Sequence, residues 1–201
     1  MNGEKSLNST NIYHLQQRIA EYEDEEAYKQ LFFHYFLPLK SFSYSIIKSK
    51  ETAEEIVSDI FLDIWVKRKQ LCAIEDLKMY LYTSVRNNSA RRLHQNKKAT
   101  FFSLDEVQVE FASPDENAEA ILMTQELSFK INTAIEELPQ RCRIIFKLAK
   151  EDKLKYKEIA VLLNVSIKTI DCQIAIAVKK IASVLNIPIK KTSTRWMLIY
   201  F

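Results

Sequence analysis

YKEIAVLLNVSIKTIDCQIAIAVKKI, residues Tyr156–Ile181, divides around Asn164–Ser166 into two amphipathic stretches. In the first, Ile159, Ala160 and Leu163 share a helical face, Asn164 sits where the chain must turn, and Ser166 suits the N-cap of a second helix. In the second, Ile170, Ile174, Ala177, Val178 and Ile181 recur at i, i+4, i+7, i+8 and i+11, the stripe of a helix packed on one side. The opposite side carries Lys168, Thr169, Cys172, Gln173 and Ile176, with Ser166 ahead of them and Lys179 and Lys180 behind. Two helices joined by so short a turn present such a face to a DNA major groove, N-terminal end leading. A plain amphipathic hairpin fits the same spacing; the turn placement and the flanking cations favour the DNA reading.

The remainder of the chain is consistent with helices throughout. A sequence of 201 residues with one glycine, four prolines and 47% hydrophobic content is long enough for one or two cores and poor in the turn residues of an all-β fold. Net charge is only +3, but it is segregated. Residues 76–98 hold six Lys or Arg against one Asp, residues 99–129 seven acids and no base, and residues 130–191 thirteen bases against six acids. Basic, acidic, basic is a modular layout. Cys72, Cys142 and Cys172 are too widely spaced for a zinc site or a disulfide framework and suit a reducing cytoplasm. No segment has the apolar core of a signal peptide or the roughly 20 apolar residues of a membrane span, so the expectation is a cytoplasmic protein without stable membrane insertion.

Further elements follow from caps and periodicity. An amphipathic helix runs through Ile12, Leu15, Ile19 and Tyr22. A long helix from Ala27 to about Ser49, bent at Pro38, carries Tyr28, Phe32, Phe33, Tyr35, Phe36, Phe42 and Tyr44 as core candidates. Thr52 is placed to cap a helix reaching about Lys69, with Glu54 and Glu55 in its first turn. Its residues Ala53, Ile56, Val57, Ile60, Phe61, Ile64 and Trp65 suit a core, leaving Glu55, Ser58, Asp59, Leu62 and Val66 on another face. Asp76 caps Leu77–Gln95, and Pro139 stands in the first turn of a helix through Lys150.

Two separated runs then carry a resemblance. Ala53–Trp65 (AEEIVSDIFLDIW) with Tyr80–Asn87 (YLYTSVRN) resembles region 2, and Leu138–Arg143 (LPQRCR) with Tyr156–Ala160 (YKEIA) resembles region 4, of a bacterial RNA polymerase sigma factor of the extracytoplasmic-function (ECF) type. This is the minimal form with regions 2 and 4 only. The resemblance implies an all-α protein of two small helical domains: residues 1–24 an N-terminal segment, 25–98 a region 2 bundle of three or four helices, 99–122 an acidic linker, 123–187 region 4, and 188–201 a C-terminal tail.

The resemblance also implies the partners. Region 2 docks on the clamp helices of core RNA polymerase and holds the non-template strand of the −10 element; region 4 sits on the β flap and reads the −35 duplex. Glu55, Ser58, Asp59, Leu62 and Val66 are then the polymerase-contacting face. A melted strand exposes base faces, so its holder needs aromatic platforms and cations. Tyr80, Tyr82, Arg86, Asn87, Arg91 and Arg92 fit that task, behind a base-capturing loop at Gln70–Glu75. Of Tyr80 and Tyr82, one is as well suited to packing inward. The −35 readers are Ser166, Lys168, Thr169, Cys172, Gln173, Ile176, Lys179 and Lys180. An anti-sigma factor is the expected regulator. No cofactor and no catalytic residue are implied, and no Gly-rich phosphate loop or nucleophile–base pair is visible.

Two departures from the family pattern bear on strength. Ile176 stands where Arg or Lys is common, and Lys155 stands where Ser or Thr often opens the first helix of the DNA-binding pair. The acidic linker either lies along surfaces built for RNA phosphates or is a solvated tether. The competing reading is a conventional helix-turn-helix regulator that binds duplex DNA without joining the polymerase. Residues 28–96, however, show neither a ligand-binding α/β pattern nor a dimer-forming heptad run.

Overall fold

The computed structural model describes residues 9–99 and 129–185, and every regular element among them is helical. The chain divides into two compact units at Ala99 and Thr100. The acidic linker and the C-terminal tail fall almost wholly outside the described residues.

The first unit contains α1 (Ser9–Tyr22), α2 (Glu25–Ile47), α3 (Lys50–Val66), a 3-10 segment (Arg68–Ala73) and α4 (Leu77–Ala99). Asp24 caps α2, its carboxylate accepting the Glu26 and Ala27 N–H groups, each at 3.0 Å. Those bonds, the Ala27 one foremost, together with Arg18, hold the Asp24 carboxyl below its ordinary range. α2 runs through Pro38 without a break. It ends at Lys48 in the left-handed region (φ 67°), where the N–H returns to Tyr44 at 2.9 Å. With one glycine in the chain, such ends fall to other residues, here Lys48 and Asn164.

α3 is capped by Ser49 rather than Thr52. The Ser49 hydroxyl accepts the Thr52 N–H at 3.2 Å, so the helix starts three residues earlier than expected and Glu51 occupies its first turn. The stretch expected to continue this helix to Lys69 turns instead into the 3-10 segment. Ala53, Ile56, Val57, Ile60, Phe61 and Ile64 are buried, while Trp65 stays half-exposed. α2 and α3 pack as an antiparallel pair, with the Tyr28 hydroxyl donating to the Phe61 carbonyl at 2.9 Å and Lys40 paired with Glu54. α4 crosses α2 at a close approach where Ser43 and Ser89, both buried, share a hydrogen bond of 3.0 Å. α1 also belongs to this unit: Leu15 and Ile19 are buried, although Tyr22, expected on the same face, is 75% exposed.

The aromatic content of α2 is not all core. Tyr35 and Phe42 are buried, whereas Phe33 is 74% and Leu37 69% exposed. The stripe Leu31, Tyr35, Leu39, Phe42 uses the inward face; Phe33 and Leu37 lie on the opposite side at i, i+4. Burial raises the Tyr35 hydroxyl well above the ordinary tyrosine pKa, with the Asp76 charge adding to the effect.

The second unit contains helical residues 129–136 (α5), α6 (Gln140–Lys150), α7 (Tyr156–Leu163) and α8 (Ile167–Val184). Pro139 is the residue before α6, extended at ψ 140°. Cys142, Ile145, Phe146 and Leu148 of α6 join Ile159 and Leu162 of α7 and the α8 stripe in one core. The Cys142 thiol donates to the Gln173 carbonyl at 3.1 Å, and burial pushes its pKa up. Glu136 fixes the turn before α6, accepting from Arg143 at 2.9 Å and Lys147 at 2.7 Å.

Candidate nucleic-acid interface

Asn164 ends α7 in the left-handed conformation (φ 52°, ψ 55°), and the following Val165 N–H reaches back to the Ala160 carbonyl at 3.0 Å. This 6→1 bond satisfies a carbonyl at the helix end, and asparagine is among the few non-glycine residues that adopt the conformation readily. Ser166 then caps α8, its hydroxyl oxygen accepting the Thr169 N–H at 3.0 Å. The chain bends by 106° between α7 and α8, within the range of a helix-turn-helix.

α7 opens without a capping side chain. The Glu158 carboxylate accepts the Lys155 N–H at 2.8 Å, which is one half of a capping box, and a lysine side chain offers no acceptor for the other half. Lys155→Ser should complete the box and stabilise the second unit by about 1 kcal/mol, a rise in melting temperature of a few degrees. An unchanged or lowered melting temperature would show that the helix start does not limit this unit.

Along α8, Lys168, Cys172, Ile176 and Lys179 lie exposed on one face, opposite buried Ile170, Ile174, Ala177, Val178 and Ile181. Thr169 and Gln173 are half-buried on its flank. Lys180 departs from expectation. It donates to the Glu137 carbonyl at 2.8 Å and faces the Glu137 carboxylate at 3.5 Å, tying α8 to the turn before α6. Ile176 is 46% exposed, so this face carries an apolar side chain between two lysines.

On α4, Tyr80, Asn87 and Arg91 stand exposed at i, i+7 and i+11, one face of the helix. The Asn87 side-chain oxygen accepts from Arg86 at 3.1 Å (Nε) and 2.8 Å (Nη2), and Arg91 donates to Asn88 at 2.6 Å. Tyr82 does not join them. It is 1% exposed and packs against Phe42 with ring centroids 5.4 Å apart, so it is a core residue and not a base platform. Arg92 points to α3, where it pairs with Glu55 at 2.6 Å.

All five residues placed on the outer face of α3 are exposed, Leu62 at 61% and Val66 at 64%. The Glu55–Arg92 pair joins this set to the α4 set, and Asp59 lines a groove of about 200 Å³ with Ile56, Asn88, Arg91, Arg92 and Gln95. Sequence reasoning missed the α2 contribution. Phe33 edges onto half-buried Phe32 at 5.7 Å, and Phe32 in turn packs on buried Phe61 of α3 at 4.9 Å, so the exposed Phe33 ring is seated on the aromatic cluster between α2 and α3. The signal was present in the i, i+4 spacing of Phe33 and Leu37.

The Gln70–Glu75 segment is mostly the 3-10 helix, with Leu71 buried and Gln70, Ala73 and Glu75 exposed. Among the described residues no group of His, Cys, Asp or Glu has metal-binding geometry, and no single helix is long and apolar enough to cross a membrane.

Residues 128–181 match the family model for region 4 of sigma-70. Two solved structures share the fold across both units. CnrH, in complex with the cytosolic domain of CnrY, aligns at a TM-score of 0.52 and 16% identity, covering 89% of this chain and 98% of its own. The sigma factor RpoE, in complex with the anti-sigma factor NepR from Bartonella quintana, aligns at a TM-score of 0.51 and 20% identity, covering 80% and 98%. A search of curated proteins found no match.

Proposed function

We infer that this chain is a sigma factor of the ECF type, a reading supported by its region 4 match and by the fold its helical units share with CnrH and the sigma factor RpoE, and that it binds core RNA polymerase and directs it to promoters through −10 and −35 elements. The observation that carries the reading is the helix-turn-helix at Tyr156–Val184, which falls inside the region 4 match up to residue 181 and presents Lys168, Cys172, Ile176 and Lys179 outward. Those four residues form the −35 face, with Ser166, Thr169 and Gln173 at its leading edge and flank. Lys180 serves to brace the helix.

Tyr80, Asn87 and Arg91 hold the −10 strand by stacking, base contact and phosphate neutralisation, with Arg86 beside Asn87. The exposed face of α3, enlarged by Phe33 and Leu37 of α2, docks on the polymerase clamp; apolar side chains among acids suit a partner helix. Residues 25–98 act as region 2, with α1 packed against them, and 123–187 as region 4. The chemistry of RNA synthesis is the polymerase's, and no covalent step is assigned to this chain. The site of action is the cytoplasm. Two relatives have been solved with a bound partner, one of them an anti-sigma factor, and an anti-sigma factor covering the docking face is the regulator we assign.

Ile176 sets how the free protein behaves. With an apolar residue between Lys168 and Lys179 on the α8 face, isolated region 4 grips DNA phosphates weakly. Specificity then depends on holoenzyme, where a fixed separation between the two DNA-reading units raises the effective concentration at the second site. Ile176→Arg should strengthen duplex binding by the free protein and steepen its log–log salt dependence by about 0.9, one phosphate's contribution. Gel-shift titrations of free protein and holoenzyme across salt test this. Tight, sequence-specific binding by the free wild-type protein at physiological salt would favour the conventional regulator instead.

A further inference from the structure

Gln16 sits inside the buried side of α1, 1% exposed, one residue from Leu15 and three from Ile19. A polar amide in such a stripe needs partners, because an unsatisfied buried donor forfeits its water bonds. Both partners come from one place. The Gln16 Nε2 donates to the Leu71 carbonyl at 2.8 Å and to the Ile74 carbonyl at 2.9 Å, more than fifty residues away in sequence. The contact is returned: the Cys72 thiol points at the main-chain carbonyl of Gln16 at 3.9 Å. Leu71, 2% exposed, drops its side chain into the core beside them.

The two carbonyls bracket Cys72 and Ala73, at the end of the 3-10 segment; Gln70 and Ala73 face outward from it, as does Glu75 just beyond. An apolar side chain at position 16 could fill the space but could not fix the backbone of that turn. One amide with two N–H groups, aimed at two carbonyls three residues apart, sets both the position and the rotation of the segment. Between the end of α3 at Val66 and the start of α4 at Leu77, Arg68 holds the front of the segment through Glu23 and the Trp65 carbonyl, Leu71 anchors its middle in the core, and Gln16 bonds its trailing carbonyl at Ile74.

We propose that Gln16 is a positioning residue for −10 strand capture, fixing the Gln70–Glu75 backbone so that its outward residues meet an unstacked base. The proposal rests on the sigma-factor reading and on the assignment of this segment as the base-capturing loop. It gives α1, which has no DNA or polymerase contact assigned, a part in promoter selectivity.

The test uses holoenzyme assembled from core RNA polymerase and the full chain, carrying either wild-type residue or Gln16→Met, which keeps length and removes both donors. The probes are single-stranded oligonucleotides of the non-template −10 sequence from a promoter selected by the wild-type holoenzyme, each with one base changed. Affinity for core and the melting temperature are measured alongside. The expected result is a fall of about tenfold in the preference for the native base at one −10 position, with core affinity unchanged. Full discrimination in the folded variant would overturn the proposal, as would an equal loss at every position. If Gln16→Met does not fold, Gln16→Asn, which keeps the amide but withdraws it by one methylene, takes its place with the same outcomes. Wild-type holoenzyme that captures no strand would instead overturn the sigma-factor reading itself.

Discussion

Holoenzyme should fail to assemble when Asp59→Arg and Leu62→Glu are combined on α3. Affinity for core polymerase is expected to fall about 100-fold or more, roughly 3 kcal/mol, because both side chains are exposed on the face that we assign to the clamp. Substitutions at exposed positions usually move stability by no more than about 0.5 kcal/mol, so the variant should remain helical and melt near the wild-type temperature. Asp59 does line the groove with Arg91 and Arg92, where a new cation is repelled. Leu62→Glu alone avoids that neighbour and should still weaken binding by about tenfold or more. Co-elution of the folded double variant with core at wild-type strength would show that the docking face lies elsewhere.

Promoter opening should separate from promoter binding when α4 is altered. Tyr80→Ala removes an exposed aromatic platform, and stacking of one base on such a ring is worth about 1–3 kcal/mol. Asn87→Ala removes a side-chain amide and the acceptor that now holds Arg86. Each should reduce permanganate reactivity of −10 thymines about tenfold or more while closed-complex affinity changes little. Gln173→Ala should do the opposite, weakening −35 binding by about 1–3 kcal/mol if it contacts a base. Normal melting by both α4 variants would remove these residues from strand capture.

How much of this was legible in the sequence depends on how local the determining contacts are. The α7–α8 turn and the apolar stripe of α8 were readable, since Asn164, Ser166 and that stripe act within a few positions of themselves, but on the short α7 the residue buried with Ile159 is Leu162, and Ala160 and Leu163, expected on that face, stay half-exposed. The inward and outward faces of α3 were equally plain, because a 3.6-residue period separates Ile56, Ile60 and Ile64 from Ser58, Leu62 and Val66. α4 was harder. Its buried side runs Leu81, Val85, Ser89, and a serine enters a core only because Ser43 waits on α2 to bond it. With that stripe obscured, nothing local decided between Tyr80 and Tyr82. The aromatics of α2 are spread around the helix, so composition overstated its core.

The partners of Arg92, Lys180 and Gln16 could not be read at all. Each is fixed by a residue more than 35 positions away, Glu55, Glu137 and Leu71 respectively, and a sequence pattern carries no such distance. Such contacts also change what a residue is free to do. Lys180, placed among the −35 readers by the resemblance, is engaged by Glu137, and Gln16, which carried no signal in the sequence, bonds two carbonyls of the 3-10 turn.

Run-off transcription with core RNA polymerase on a genomic library of promoter fragments tests the central claim most directly. With this protein added, discrete transcripts should start a short fixed distance downstream of a shared pair of −10 and −35 sequences, and core alone should yield none of them. Binding to the same fragments without any protein-dependent transcript would contradict the account.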